Sequence, residues 1–241
     1  MTQLVIGLVG HICGGKGTAV KTIQSEYSDT PSLRFSTRMR QLLHLSNEKA
    51  NRYLSQMDPK DAFFEALEDI YGKGIRTRAI PTVFDPVSRY FHQMMKLGFP
   101  LIESREKLQS ISTIVRELFG EDTFARKMME DISSIKSPIV IVEGIRRRAD
   151  IAALSPMPVF VSVFIEAPIE KRWEWNKQRN ENVGDSAMSF DEFCQKDQAE
   201  TELEIASLKE AADWVILNHG TQQEFVSKVR CMLRETLVHL T

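Results

Sequence analysis

The chain has 241 residues, 42% of them hydrophobic and 27% charged, which is typical of a globular protein with one large domain or one domain carrying an insertion. Its 31 Lys and Arg residues nearly balance 33 Asp and Glu residues, and the net charge of -2 excludes a global basic field for nucleic acid. The three cysteines are widely spaced and form no CxxC pair, so we expect neither a disulfide framework nor a zinc site. The N-terminus lacks a charged start followed by a long apolar core. We therefore expect no signal peptide, no membrane partner and a cytoplasmic protein.

Apolar segments rich in β-branched residues predict the strands, because a parallel sheet covered on both faces needs apolar residues at consecutive positions. The predicted strands are Gln3–Val9, Ser32–Ser36, Ser137–Gly144, Pro158–Ala167 and Ala212–Asn218. The predicted helices are Thr18–Tyr27, a helix from Thr37, Asn47–Leu54, Pro59–Tyr71, Val87–Leu97, Arg105–Phe119, Thr123–Ile135, a helix after Pro168, a long capped stretch from Ser189 and a closing helix from Thr221. This alternation predicts an α/β fold of three layers, with helices on both faces of a five-stranded, mostly parallel sheet.

The middle of the chain interrupts this alternation. From Ser46 to Ile135 the sequence is mostly polar and helical in pattern, with no clear buried strand, and it is too long for one crossover between strands. We predict that residues 1–45 and 136–241 form the core and that residues 46–135 form an inserted helical region.

The segment GHICGGKGT follows the first predicted strand and fits the pattern G-x-x-x-x-G-K, the Walker A motif. Glycines at such a turn let backbone N–H groups converge on an anionic oxygen, and the following helix points its positive end at the same place. We call Gly10–Thr18 the phosphate loop. Its candidate nucleotide-binding residues are Gly10, Cys13, Gly14, Gly15, Lys16, Gly17 and Thr18, and Lys16 is also the first catalytic candidate. The alternative is a tight strand-to-helix bend with a chance lysine.

The end of this loop, Gly-Lys-Gly-Thr, resembles adenylate kinase and other nucleoside monophosphate kinases. The resemblance implies ATP as phosphoryl donor and Mg²⁺ held largely through water, with Thr18 and Glu143 as the candidate metal-site residues. Glycine in place of Ser or Thr after Lys16 argues against GTPases and motor-type ATPases.

A kinase of this kind needs a second anion site, and arginine suits it because its fork matches phosphate oxygens. The segment FSTRMRQLL is similar to the adenylate kinase stretch that meets the acceptor, which makes Thr37, Arg38 and Arg40 candidates; they are otherwise exposed residues of an amphipathic helix. The segment IVIVEGIRRR resembles the motif whose arginine binds the acceptor phosphate, here Arg147 with Arg146 beside it. In that motif Glu143 takes the place of the acid; its alternative role is to cap or pair with the phosphate-loop helix.

Three further segments resemble parts of these kinases. The run IEKRWEWNKQRNENVGD resembles the lid, predicted at about 172–190, with Arg172 and Arg179 as catalytic candidates and Lys177 beside them, or else it is a solvated helix. The helix from Arg105 resembles the one that borders the acceptor pocket in phage-type kinases, with Arg116 and Arg126 as candidates, or else it is an ordinary helix pair. The NHGT loop resembles the one beside the adenine, with Asn218, His219 and Gly220 as candidates, or else His219 is a loop histidine without a role.

As a whole the chain resembles P-loop nucleotide kinases, near archaeal adenylate-kinase-like and dephospho-CoA-kinase-like proteins. The resemblance implies an ATP-dependent phosphotransferase for a nucleoside or deoxynucleoside monophosphate, with residues 46–135 binding the acceptor. Two alternatives remain open: dephospho-CoA kinase, which has a hydroxyl acceptor, and a regulatory P-loop ATPase without a small-molecule acceptor. We expect no nucleic-acid partner, since Trp173 and Trp175 alone make no stacking stripe, and a monomer or homodimer.

Overall fold

The structure is a computed structural model, and it describes residues 3–52, 59–72, 103–179, 185–198 and 200–238. The predicted helix Val87–Leu97 and residues 180–184 of the predicted lid lie outside the described residues. By its internal contacts the chain divides into two compact units, one of Met1–Leu33 with Met128–Thr241 and one of Arg34–Lys127. The predicted core of residues 1–45 and 136–241 and the predicted acceptor-binding role of residues 46–135 stay predictions.

Five parallel strands form one sheet in the order β2-β3-β1-β4-β5, which confirms the predicted α/β fold. The strands are β1 (Leu4–Val9), β2 (Ser32–Arg34), β3 (Ile139–Ile145), β4 (Phe160–Glu166) and β5 (Trp214–Leu217). All six residues of β1 are buried, as expected for a central strand with both faces covered. The second strand ends earlier than predicted, because the next helix already begins at Phe35.

Ten α-helices and one short 3₁₀ helix, Asp185–Ala187, lie among the described residues, and we number the α-helices in chain order. They are α1 (Lys16–Glu26), α2 (Phe35–Arg52), α3 (Pro59–Tyr71), α4 (Arg105–Phe119), α5 (Thr123–Ser134), α6 (Arg148–Leu154), α7 (Ile169–Arg179), α8 (Phe190–Asp197), α9 (Glu200–Ser207) and α10 (Gln222–Val238). The prediction of a separate helix at Asn47–Leu54 was wrong in its start, since α2 runs without a break through Ser46, whose hydroxyl bonds the Leu42 carbonyl inside the helix. Helix α6 was not predicted.

The core of the first unit lies between the sheet and two helices. Alternate residues of β1, Leu4, Ile6 and Leu8, join one buried cluster with Ile23 of α1. Helix α10 completes that cluster from Phe225 to Leu233. Because strand side chains alternate between faces, the equally buried Val5 and Val9 belong to the opposite face of the sheet. The carboxyl ends of the strands therefore project from a rigid, fully packed base.

A β-bulge shapes the end of β3. Leu8 pairs with Glu143, but the next residue of β1, Val9, pairs with Ile145, so Gly144 is the extra residue. Its φ of 86° lies in the left-handed region that glycine adopts without a steric penalty. The bulge sets the direction of the chain where β3 passes into the arginine-rich turn before α6.

The second unit is helical in its described part. Its core packs buried residues of α2, α3 and α4 together, among them Leu42, Phe63 and Ile111. Tyr71 and Phe119 stack with ring centroids 4.8 Å apart and an interplanar angle of 19°. None of the described helices is long and apolar enough to cross a lipid bilayer.

Candidate phosphate-binding site

The phosphate loop takes backbone conformations that require small residues. Gly10 and Gly15 have φ angles of 145° and 112°, and Cys13, with φ 57°, is in the left-handed region that side chains rarely adopt. A Cβ on Gly10 would lie 2.5 Å from the Ile165 carbonyl oxygen, and one on Gly15 would lie 2.5 Å from Asn218 Nδ2. The loop is thus fixed by close approach to β4 and to the chain after β5, and both glycines are needed for that reason.

Lys16 begins α1 and turns back over the loop. Its Nζ donates to the carbonyls of Gly10, at 2.6 Å, and His11, at 2.7 Å. The Gly14 N–H also donates to the His11 carbonyl, at 3.2 Å. The first N–H groups of a helix have no partner within the helix and carry a partial positive charge, so the Lys16 ammonium and the start of α1 both make this end of the loop electropositive. Gly17 and Thr18 lie in that first turn. This arrangement can bind an anion such as a phosphate.

Asn218 contacts the loop directly. Its side chain is only 6% exposed, its Nδ2 donates to the Gly14 carbonyl at 3.0 Å, and its backbone N–H donates to the Glu166 carbonyl at 2.7 Å. The structure therefore gives Asn218 a contact with the phosphate loop, whereas its contact with ATP stays a prediction. The carbonyls of the two following residues, His219 and Gly220, both accept from Lys171 Nζ.

Glu143 is the acidic group at the end of β3. It is 7% exposed and its Oε1 accepts from the Ser32 hydroxyl at 2.6 Å, so the carboxylate has a partner from the neighbouring strand β2. The described residues contain no group of three His, Cys, Asp or Glu side chains that could hold a metal alone. Mg²⁺ usually takes one or two protein oxygens, with phosphates and water as its other ligands. Glu143 and the Thr18 hydroxyl are a donor set of that kind.

The turn after β3 brings three arginines together. The Arg146 N–H donates to Asp150 Oδ2 at 3.4 Å, Arg147 Nε lies 3.6 Å from Glu204 Oε2, and Arg148 Nη2 donates to the Ser207 carbonyl at 3.2 Å. Arg146 and Arg147 are half-buried, and Arg148 is exposed. Arg146 therefore follows directly on the strand that carries Glu143, and Arg147 and Arg148 both contact α9, through Glu204 and Ser207.

The predicted lid arginines have different surroundings. Arg172 is 4% exposed and makes a bidentate ion pair with Asp197, with nitrogen–oxygen distances of 2.5 and 2.7 Å. A phosphate-clamping role for Arg172 stays a prediction, and it requires this pair to open. Arg179 is exposed at the end of α7, and Lys177 Nζ lies 4.7 Å from the centre of the Trp173 ring.

The remaining acceptor candidates belong to the second unit. On α2, Thr37 is exposed, Arg38 donates to Gln41, and Arg40 donates to Glu103 and Ser36. Arg116 donates to the Glu121 carbonyl and lies over the Phe124 ring. Arg126 donates to the Phe119 carbonyl. Burial raises the pKa of Tyr71 strongly, although the positive charges of Arg38 and Arg116 act to lower it. Tyr71 thus keeps its proton to a higher pH than an exposed tyrosine does, even with the positive charges of two candidate arginines acting on it.

Three residues that contact the phosphate loop or its neighbouring acid were not predicted. Ser32 reaches Glu143, Asn176 Oδ1 lies 3.5 Å from Cys13 Sγ, and Asp197 Oδ1 lies 3.7 Å from His11 Nδ1. Each is a common polar residue on an ordinary strand or helix, and the sequence patterns gave none of them a role at the loop.

No protein-family model matches the chain. It is similar to a UPF0200/UPF0201 protein of Archaeoglobus fulgidus, with 30% identity over 132 residues, which cover 53% of this chain and 40% of that protein. It is also similar to a UPF0200 protein of Sulfurisphaera tokodaii, with 25% identity over 165 residues, covering 68% and 85%. The chain thus spans less than half the length of the Archaeoglobus relative, and neither name states an activity.

Two solved structures share the fold. TT1252 from Thermus thermophilus has a TM-score of 0.51 at 19% identity, with all of both chains covered. A shikimate kinase from Bacteroides thetaiotaomicron has a TM-score of 0.50 at 12% identity, with 96% of this chain and 98% of the kinase covered. At these identities the likeness concerns the fold. Together with the loop geometry it shows that the chain has a P-loop kinase-like fold.

Proposed function

We propose that this chain is an ATP-dependent kinase that transfers a phosphoryl group, with Mg²⁺, to a nucleoside or deoxynucleoside monophosphate. The observation that carries the proposal is the geometry of the phosphate loop. Gly10 and Gly15 have positive φ angles, and Lys16, the first residue of α1, donates back to two carbonyls of the loop. Such a loop binds the β- and γ-phosphates of a nucleotide. A shikimate kinase on the same fold supports the class of reaction only by analogy.

The reaction needs little covalent chemistry from the protein. A nonbridging oxygen of the acceptor phosphate attacks the γ-phosphorus, the bond from the γ-phosphorus to the bridging oxygen breaks, and ADP leaves with the electron pair. A phosphate acceptor is already anionic, so no general base is required. Lys16 and the N–H groups at the start of α1 would neutralise the charge that develops on the donor phosphates.

Magnesium ion would supply charge neutralisation at the donor phosphates when bound. Thr18 and Glu143 are the residues that would hold it, with water completing the shell. Glu143 is already oriented by Ser32 at 2.6 Å, which fits an outer-sphere role through water.

On the acceptor side, Arg147 is the residue of the first unit best suited to a phosphate. It follows the Gly144 bulge at the carboxyl end of β3, and ligands of open α/β sheets bind beyond such ends. One of its partners, Glu204, has an oxygen 3.6 Å from Arg147 Nε, and a phosphate is the kind of anion that an arginine guanidinium binds. The acceptor candidates Arg38, Arg40 and Arg116 belong to the second unit and stay predictions from the resemblance.

The experiment is a transfer screen with radiolabelled ATP and Mg²⁺ against nucleoside monophosphates, deoxynucleoside monophosphates and dephospho-CoA. Label transferred to a monophosphate supports the proposal. Label on dephospho-CoA instead assigns a hydroxyl acceptor, and release of inorganic phosphate alone assigns a regulatory ATPase. Either of those two results contradicts the proposal.

Lys16→Ala is the donor-site variant, and Lys21→Ala is its matched control because Lys21 is exposed on the same helix. We expect Lys16→Ala to abolish transfer with its circular dichroism spectrum unchanged, and Lys21→Ala to transfer normally. Full transfer by Lys16→Ala would show that the phosphate loop is not the donor site.

A further inference from the structure

Helices α7 and α8 contact the phosphate loop at two points. From α7, Asn176 Oδ1 lies 3.5 Å from Cys13 Sγ, and Asn176 is 3% exposed. From the last residue of α8, Asp197 Oδ1 lies 3.7 Å from His11 Nδ1. Both contacts reach the middle of the loop, between Gly10 and Gly15, the two glycines with positive φ. The loop is therefore held from this side as well as by Asn218.

Asp197 itself is held rigidly. Its two carboxylate oxygens accept from Arg172 at 2.5 and 2.7 Å, and Arg172 also donates its Nε to the Ala167 carbonyl at 3.1 Å. The Asp197 side chain is 12% exposed and that of Arg172 is 5% exposed. A bidentate pair so far from water has one geometry, so the carboxylate is a fixed point for whatever else it contacts.

His11 links that fixed point to the ligand-binding lysine. Its ring stands edge-on to Phe164, with centroids 6.4 Å apart, and its Nδ1 faces the carboxylate. The carbonyl of the same residue accepts from Lys16 Nζ and from the Gly14 N–H. A shift of His11 therefore moves the oxygen against which Lys16 is placed.

We propose that Asp197 is a positioning residue of the nucleotide site, which acts through His11 on the phosphate loop and so sets the affinity for the phosphates of ATP. The inference rests on the donor half of the proposed function and does not depend on the acceptor. Asp197 touches no substrate in it; its effect is on the geometry of the loop.

A double-mutant cycle tests this coupling. Asp197→Asn keeps the shape but removes the charge, and His11→Phe keeps the ring against Phe164 but removes Nδ1. We expect each variant to raise the Kd for ATP, and likewise for inorganic tripolyphosphate, by about threefold or more, and the two changes to be coupled as residues of one network are. The double variant should bind no more weakly than the weaker single variant. Asp191→Asn, exposed on the same helix, should leave the Kd unchanged.

A purely structural role gives different results. If Asp197 only holds Arg172, then Asp197→Asn lowers the Tm but leaves the Kd for ATP as in the unaltered chain. Alternatively, the effects of Asp197→Asn and His11→Phe on the Kd simply add in the double variant. Either result overturns the proposal. Should Asp197→Asn fail to fold, His11→Phe decides: a raised Kd at an unchanged Tm supports the inference, and an unchanged Kd overturns it.

The same measurements separate this inference from the proposed function. An unaltered chain that binds ATP but phosphorylates no acceptor contradicts the kinase proposal, while the cycle still tests Asp197. An unaltered chain that binds neither ATP nor tripolyphosphate overturns both.

Discussion

The replacement Gly15→Ala tests how the phosphate loop is built. Gly15 is the residue before α1, with φ 112° and ψ 5°. A Cβ there would lie 2.5 Å from Asn218 Nδ2 and 3.3 Å from the Phe225 ring. Asn218 is buried and donates to the Gly14 carbonyl, so its amide has no open space to move into without losing that bond.

The expected cost follows from two parts. An L-residue held in a sparsely populated backbone region costs about 1–3 kcal/mol. Displacing Asn218 leaves the buried amide or the Gly14 carbonyl without its hydrogen bond, which costs about 1–3 kcal/mol more. We expect Gly15→Ala to lose about 2–6 kcal/mol of the free energy of unfolding of the first unit, a large share of the about 5–15 kcal/mol typical of a domain.

Gly17→Ala is the matched control for stability. A Cβ on Gly17 meets no atom within 4 Å, and Gly17 lies in the first turn of α1 without a positive φ. Alanine there should be neutral or stabilise by up to about 1 kcal/mol. Thermal unfolding of both variants without ligand, followed by circular dichroism, measures the difference. If Gly15→Ala melts at the temperature of the unaltered chain, the packing of Asn218 against the loop is wrong.

Two further predictions concern one residue in each unit. Arg147→Ala should raise the acceptor KM or lower kcat much more than it changes the Kd for ATP. Arg148→Ala is the control and should change neither the kinetics nor the Kd, because Arg148 is exposed and donates to a backbone carbonyl. Equal steady-state kinetics for the two variants would remove Arg147 from the acceptor site. Burial raises the pKa of Tyr71, so above about pH 10 the folded chain keeps a proton that the unfolded chain loses, and stability should fall as the pH rises. Tyr71→Phe should lessen that fall, by at most about 1.4 kcal/mol per pH unit. Tyr27→Phe is the control, because Tyr27 is 41% exposed. Identical pH profiles of Tm for the two variants would contradict a raised pKa at Tyr71.

The sheet was predictable because its signals are local. Buried parallel strands are apolar at consecutive positions, so β1, β3 and β4 are visible as runs of Val, Ile and Leu. The predicted end of β2 was less accurate, because α2 begins at Phe35 directly after Arg34 without a turn between them. The predicted break near Ser46 was wrong for another reason, since α2 continues through the polar residues there. Helix α6 has seven residues, too few to show a helical period.

The phosphate loop was predictable for the same reason, because its glycines and Lys16 lie within one short segment. The residues that hold the loop in place were not predictable. Asn218 is 204 positions from Gly14, and Asp197 reaches His11 from a helix far along the chain, a contact that no local pattern indicates. Arg172 shows the same limit of local patterns: its charge and its place on a basic helix led to a predicted lid role, which stays a prediction, and the fold buries its side chain in an ion pair with Asp197. A charged residue on a helix does not reveal which carboxylate the tertiary structure places beside it.

The positions of the phosphate loop therefore require glycine for different physical reasons, although they belong to one sequence pattern. Gly10 and Gly15 are required by the chain itself, since a side chain would strike the Ile165 carbonyl or the Asn218 amide. Gly17 is not, because a Cβ there meets open space in a helical turn where alanine is the better helix former. Packing thus explains the general G-x-x-x-x-G-K part of the motif but not the glycine after Lys16, the residue that separates this chain from the G-K-[ST] pattern. The reason for Gly17 must lie outside the packing of the described residues, and in this proposal it is close approach of the nucleotide to the first turn of α1. A Gly17→Ala chain that is as stable as the unaltered one but binds tripolyphosphate more weakly would show that this glycine serves the ligand rather than the fold.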